Sequence, residues 1–201
     1  EASLTNWDNT ARILKKLKAL EISDKSQQNR QFILICQCVL IQGILQGRYE
    51  EPLRYEQTFL KKLRANQFSP THRYLVLVVK QNFAIVYFFL GNHQKAQHYL
   101  NDIFNNPIEI QKDIHHFCRL LGALIYLEQD LDTLVNREAK ALRRQFSKEK
   151  KHFIYITARA LPRIAYALEE ERHPLLRELE EKLESVKTEN FEVNGYFIIR
   201  R

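Results

Sequence analysis

Histidine and cysteine are the side chains here most able to do chemistry, and they gather at His115-His116-x-Cys118. An imidazole beside a thiol suggests a base and its nucleophile, and both groups are zinc ligands. On a helix, however, neighbouring residues point about 100° apart. The motif also lacks a third orienting group, an oxyanion donor and a second Cys/His pair at zinc-site spacing. Glu169-Glu170-Glu171 with His173 offers carboxylates and an imidazole, but beside Pro174 the run reads as a solvated turn between helices. Gly43, Gly47, Gly91, Gly122 and Gly195 are scattered and form no phosphate-cradling loop. Cys36, Cys38 and Cys118 are an odd set, expected as reduced buried thiols rather than a disulfide framework. The expectation is therefore a protein with no catalytic residues, no metal and no cofactor.

Charge says more. The formal net charge is +7. Between Arg137 and Lys151 stand seven basic residues, Arg137, Lys140, Arg143, Arg144, Lys148, Lys150 and Lys151, against Glu138 and Glu149. Such a ridge could meet phosphates or an acidic partner surface. A plain solvated face is the competing reading, and no recognition motif or aromatic platform for nucleic acid accompanies the ridge.

The elements that would position these groups are helices. At 201 residues the chain suits one domain or one compact repeat array. It is 45% hydrophobic and 27% charged, with only 5 Gly and 5 Pro, too few for many short strands and tight turns. The first twenty residues contain no apolar central run, so no signal peptide is expected. Tyr74 to Leu90 is interrupted by Lys80-Gln81-Asn82 and falls short of the ~20 apolar residues of a membrane helix. A cytoplasmic protein is expected. The chain has no methionine and opens on Glu1, which suggests a processed or truncated form.

Helix signals come in pairs. Ser69-Pro70 opens a helix that runs through Tyr74 to Leu90 and stops at Gly91-Asn92. Apolar residues nearly encircle it, so it must be covered on most sides. His93 to Asn105 follows, closed by Asn106-Pro107. The same pattern predicts Gln31 to Gln46, Gly47, then Glu50 to Ala65, and later Ile110 to Glu128, a turn near Gln129, then Leu131 to Phe146. These turns fall 44 and 38 residues apart, within the range of helical-hairpin arrays. Flanking helices are expected over Asn9 to Leu20, Lys148 to Ala160 and Pro174 to Lys187, with Pro162 breaking or kinking the path between the last two. Phe191 to Arg201 fits either a short strand or the start of a helix.

The stretch from Asn82 through Asn105, with Leu90-Gly91-Asn92-His93-Gln94-Lys95-Ala96 at its centre, resembles a tetratricopeptide repeat. Ala84 and Ala96 stand where that motif has small residues, Tyr87 where it has an aromatic and Gly91 at its turn, with Tyr99 and Ile103 in register. Gly47-Arg48-Tyr49 with Tyr55 and Phe59 is a weaker copy, carrying Gly43 at an aromatic position and Pro52 at a small one. The third pair, around Gly122 and Tyr126, lacks the turn glycine. From Asn82 to Phe146 the chain is also similar to uncharacterised bacterial tetratricopeptide-repeat proteins.

The resemblance implies an all-α fold, a right-handed α-α superhelix over residues 1–201 with hairpins at about 31–65, 70–105 and 109–146. Such a stack has a concave face lined by first helices. The implied function is a protein–protein interaction scaffold that holds a peptide or partner helix. Its expected polar contributors are Gln37 and Gln42, then Lys80, Gln81 and Asn82, then His116 and Arg119, with Lys80 and Gln81 foremost. Two alternatives stay open: a nucleic-acid-associated protein using the 137–151 ridge, and a peptide-sensing regulator whose curvature changes with a ligand.

Overall fold

A computed structural model describes residues 7–105, 112–150 and 152–185; Lys151, Asn106-Pro107 and the 191–201 segment lie outside them. All regular structure among the described residues is helical. The chain divides into two compact units, Glu1–Tyr99 and Leu100–Arg201, with the division inside one helix.

The first unit holds α1 (Trp7–Ala19), α2 (Lys25–Gln46), α3 (Glu56–Arg64), α4 (Arg73–Phe89) and the start of α5 (His93–Phe104). Asp24 caps α2, its Oδ1 accepting from the Gln27 amide at 2.8 Å. The helix therefore starts six residues before the expected Gln31. Gln31 instead ties α1 down, its Nε2 donating to the Leu17 and Leu20 carbonyls at 2.5 and 2.9 Å. The segment expected as one helix from Glu50 is a 3-10 turn over Glu51–Tyr55 that leads into α3. Ser69 also begins differently: its hydroxyl caps a 3-10 turn at Pro70–His72, and α4 proper starts at Arg73.

α2 packs on α4, and α4 is apolar around most of its girth, as a helix covered on several sides must be. Phe59, Phe83, Ile33 and Leu40 are fully enclosed. Ala84 and Ala96 are buried at 0%. Tyr49 stacks on Phe89 with centroids 4.7 Å apart. Gly43 explains the departure from the repeat pattern in the first pair. A Cβ there would stand 2.5 Å from Pro52 Cγ, so the proline ring occupies the space beside the glycine.

The second unit holds the end of α5, α6 (Lys112–Glu128), α7 (Asp132–Gln145), α8 (Phe153–Ala165) and α9 (Glu169–Ser185). Neighbours in sequence pack on one another from α6 to α9, around Leu120, Leu121, Ile125, Leu142 and Leu161. Pro162 lies inside α8, which continues to Ala165, so the expected break comes at Tyr166–Leu168 instead. Glu169-Glu170-Glu171 is the first turn of α9 rather than an inter-helix turn, because acidic groups suit the free amides of a helix start.

One corner recurs. After α2, α3, α4 and α6 the chain turns with the same pair of hydrogen bonds; after α3, Asn66 (φ 49°) and Gln67 donate to Leu63 and Lys62. Gly47 and Arg48 donate to Ile44 and Gly43, Gly91 and Asn92 to Phe88 and Tyr87, and Asp130 and Leu131 to Leu127 and Tyr126. This is the Schellman motif, whose penultimate residue must take positive φ. Gly47 (φ 67°) and Gly91 (φ 70°) do so freely, and Asp130 (φ 53°) stands in for the missing third glycine.

Candidate partner-binding surface

The residues expected to line a concave face are placed very differently from one another. On α4, Lys80 is 8% exposed, Gln81 6% and Asn82 0%. α4 is covered nearly all round, so a polar interruption in it is enclosed along with its apolar neighbours. Neither amide atom of Asn82 has a hydrogen-bond partner among the described residues. Gln37 and Gln42 are half-buried on α2.

In the second unit His116 and Arg119 are half-buried and engaged internally. His116 meets Phe146 edge-on at 4.9 Å, and Phe146 in turn stacks on His152 at 4.6 Å. Burial, with the Arg119, His115 and His152 charges, holds the His116 imidazole below its ordinary pKa although Asp113 opposes it. Arg119 approaches Glu138 at 3.5 Å, and Glu138 also holds Arg137 at 2.9 Å. His115 and His116 share no common target, and no group of three or more metal-ligating side chains converges among the described residues. Burial pushes the Cys36 thiol up to about 12 and raises Cys118 and Cys38 too, which disfavours the thiolate a nucleophile needs.

Of the basic ridge, Arg137 is paired with Glu138 and Arg143 is half-buried, while Lys140, Arg144, Lys148 and Lys150 stand exposed. Arg137, Lys140 and Arg144 follow helical spacing along one face of α7. Lys151 lies outside the described residues.

Two clusters escape a linear reading. Tyr87 Oη donates to Glu56 Oε2 at 2.5 Å and Tyr99 Oη to Glu56 Oε1 at 2.6 Å. The Lys95 ammonium lies 3.2 Å from the Tyr87 oxygen and 4.7 Å above its ring. Burial first, then the Glu56 hydrogen bond and charge, keep the Tyr87 phenol protonated well above the ordinary tyrosine range. The cluster thus clamps α3 to the α4–α5 pair and supplies no base. The second cluster holds Lys62, which donates to Asn29 Oδ1 at 2.8 Å and to Gln67 Oε1 at 3.3 Å. No periodicity signals either one, since Glu56 lies 31 and 43 residues from its two donors.

Beside α3 lies an open depression of about 570 Å³, lined by Gln57, Leu60, Lys61, Arg64 and Ala65. No described helix is long and apolar enough to cross a membrane. In comparisons with known proteins, the chain matches no family model, no curated protein and no solved structure.

Proposed function

We propose that this chain is a non-catalytic interaction scaffold of the tetratricopeptide kind, a right-handed stack of helix pairs that holds a peptide or partner helix. The observation that carries the reading is the corner that closes α2, α4 and α6 with the same two hydrogen bonds and a left-handed residue each time, Gly47, Gly91 and Asp130, a corner that α3 also makes at Asn66. Repetition of one helix-turn-helix unit is how solenoids build extended binding faces. Fully buried Ala84 and Ala96, which stand at the small-residue positions of the resembled motif, add to it. Gln37 and Gln42 on α2 are the groove candidates that keep partial exposure in the first unit.

The test is affinity capture from lysate of the source cell, with and without nuclease. Wild type is compared with a Gln37→Arg, Gln42→Arg variant of unchanged helical circular dichroism. A protein retained after nuclease and lost in the variant is the expected result. Capture that is identical in both overturns the groove reading.

A second reading rests on Lys140, Arg144, Lys148 and Lys150, exposed cations with no ion-pair partner among the described residues. They suit a polyanion such as nucleic acid, whose binding weakens steeply with salt. Recovery of nuclease-sensitive material alone, abolished by Lys140→Glu with Arg144→Glu, would favour it.

A further inference from the structure

α8 is capped by a histidine. The Nδ1 lone pair of His152 accepts from the Ile154 amide at 3.3 Å, so the neutral ring must carry its proton on Nε2. A proton added at Nδ1 turns this acceptor into a second donor. It also sets a positive charge against the free amides of a helix start. The cap then becomes a repulsion. Histidine is the side chain whose ordinary charge change falls between pH ~5 and ~8, unlike the Asp24 and Ser69 types that cap α2 and the Pro70–His72 turn.

Three elements meet at this cap. Phe146, which closes α7, takes His152 stacked on it at 4.6 Å and His116 of α6 edge-on at 4.9 Å. Phe153 stacks on His152 at 4.9 Å. Both phenylalanines are buried, at 8% and 7% exposure. The turn between them is held by the Glu149 amide on the Phe146 carbonyl at 2.9 Å and the His152 amide on the Glu149 carbonyl at 2.8 Å. One aromatic stack thus joins α6, the end of α7 and the start of α8, and two of its four rings can take a proton.

Charged groups approach the stack from each packed element. On α6, burial together with Arg119, His115 and the His152 ring outweighs Asp113 and favours a neutral His116. Arg119 is itself near Glu138 of α7, at 3.5 Å. Arg143 and Arg144 end α7, and Lys148, Glu149 and Lys150 stand exposed in the turn. α9 runs antiparallel to α8, as the Arg172 bond to the Ala165 carbonyl and the Arg163–Glu178 pair together show. Its last turns bring Glu181, Lys182 and Glu184 toward this end of α8. Carboxylates there ease a charge on the ring but cannot return the Nδ1 lone pair.

We propose that the α7–α8 corner is an acid-opened joint. Protons taken up by His152 and His116 uncap α8, break the stack and free Phe146 and Phe153, while the other helices stay folded. The closed corner needs neutral rings, so it is stable above the ordinary imidazole value of ~6.5 and opens as pH falls below it. Opening uncovers an apolar surface rimmed by Lys148 and Lys150 in acid alone. The joint does not rest on the scaffold reading, because neither Gln37 nor Gln42 takes part.

The experiment is amide hydrogen exchange of the full chain from pH ~7 to ~5, corrected for the intrinsic pH dependence of exchange. The probes are the Ile154 and Ile156 amides, bonded to the His152 ring and carbonyl. Their protection should fall ~tenfold per pH unit if one proton drives opening and ~hundredfold if two do, with α2 and α4 unchanged. His152→Asn keeps a cap acceptor that takes no proton in this range, so it should hold protection nearly level. His116→Phe should make the fall shallower. His152→Ser serves if the Asn variant loses helicity at neutral pH. Protection that does not change with pH overturns the proposal. So does an equal fall in wild type and the His152 variant, or a loss spread evenly over α2, α4 and α8, which is global unfolding.

Discussion

Tyr87 on α4 and Tyr99 on α5 share one acceptor on α3: the two oxygens of Glu56 receive their hydroxyls at 2.5 and 2.6 Å. Hydrogen bonds to a charged group each contribute ~1.5–3 kcal/mol, more than neutral ones. Glu56→Gln keeps the shape but removes the charge, so it should cost ~1–2 kcal/mol in urea unfolding, by the difference between charged and neutral bonds. Tyr87→Phe and Glu56→Gln should combine with less than additive loss, since they share the bond. Because the Tyr87 phenol titrates above its unfolded value, the stability it contributes is complete below pH ~10 and lost as pH rises past it. An alkaline limb unchanged in Tyr87→Phe would contradict this.

Gly91 and Asp130 occupy the same corner position with opposite costs. A Cβ at Gly91 meets nothing within 4 Å, so Gly91→Ala should cost only the left-handed strain, ~1–2 kcal/mol. Asp130 already bears that strain, and its 2.8 Å ion pair with Arg172 is partly exposed and worth little. Asp130→Gly is thus expected to raise the melting temperature where Gly91→Ala lowers it. Equal signs in thermal melts would show that the two corners are not equivalent.

Gly43 is limited by space rather than by dihedral angle. The added methyl of Gly43→Ala would stand 2.5 Å from Pro52 Cγ and 3.0 Å from the Arg48 carbonyl. Overpacking of this kind costs ~1–3 kcal/mol. Adding Pro52→Ala should recover part of the loss by clearing the ring. No recovery in the double variant would assign the cost to the Arg48 carbonyl.

His116 predicts an acid limb. Its folded pKa lies below the unfolded ~6.5, so the neutral imidazole's stability is present above that pH and lost as pH falls through it. His115 is shifted the same way, by burial and then by Arg119. His116→Phe, which keeps an aromatic edge on Phe146, should flatten the fall in melting temperature between pH 7 and 5. If the variant and wild type fall in parallel, another group sets the limb.

Helix type and corner position were legible in the residue order because both are local. Apolar spacing, Ser69 before Pro70 and the glycines at 47 and 91 act within a few residues, through backbone hydrogen bonds that close inside one turn. Asp130 was legible only as a turn near Gln129, since no residue type announces a left-handed aspartate. Pro162 and Pro174 sit within helices because packing outweighs the single backbone bond each one removes.

Tertiary structure alone decided which polar side chains are covered. Lys80, Gln81 and Asn82 look like an exposed break in an apolar helix, yet α4 is enclosed on sides that one sequence segment cannot reveal. Likewise, Glu56 finds its tyrosines, Arg119 its Glu138 and His116 its Phe146 across long separations in the chain. Periodicity tells how a helix is striped. Only the packing of neighbouring helices tells which stripe meets water, because burial belongs to the assembled set of helices and not to any one of them.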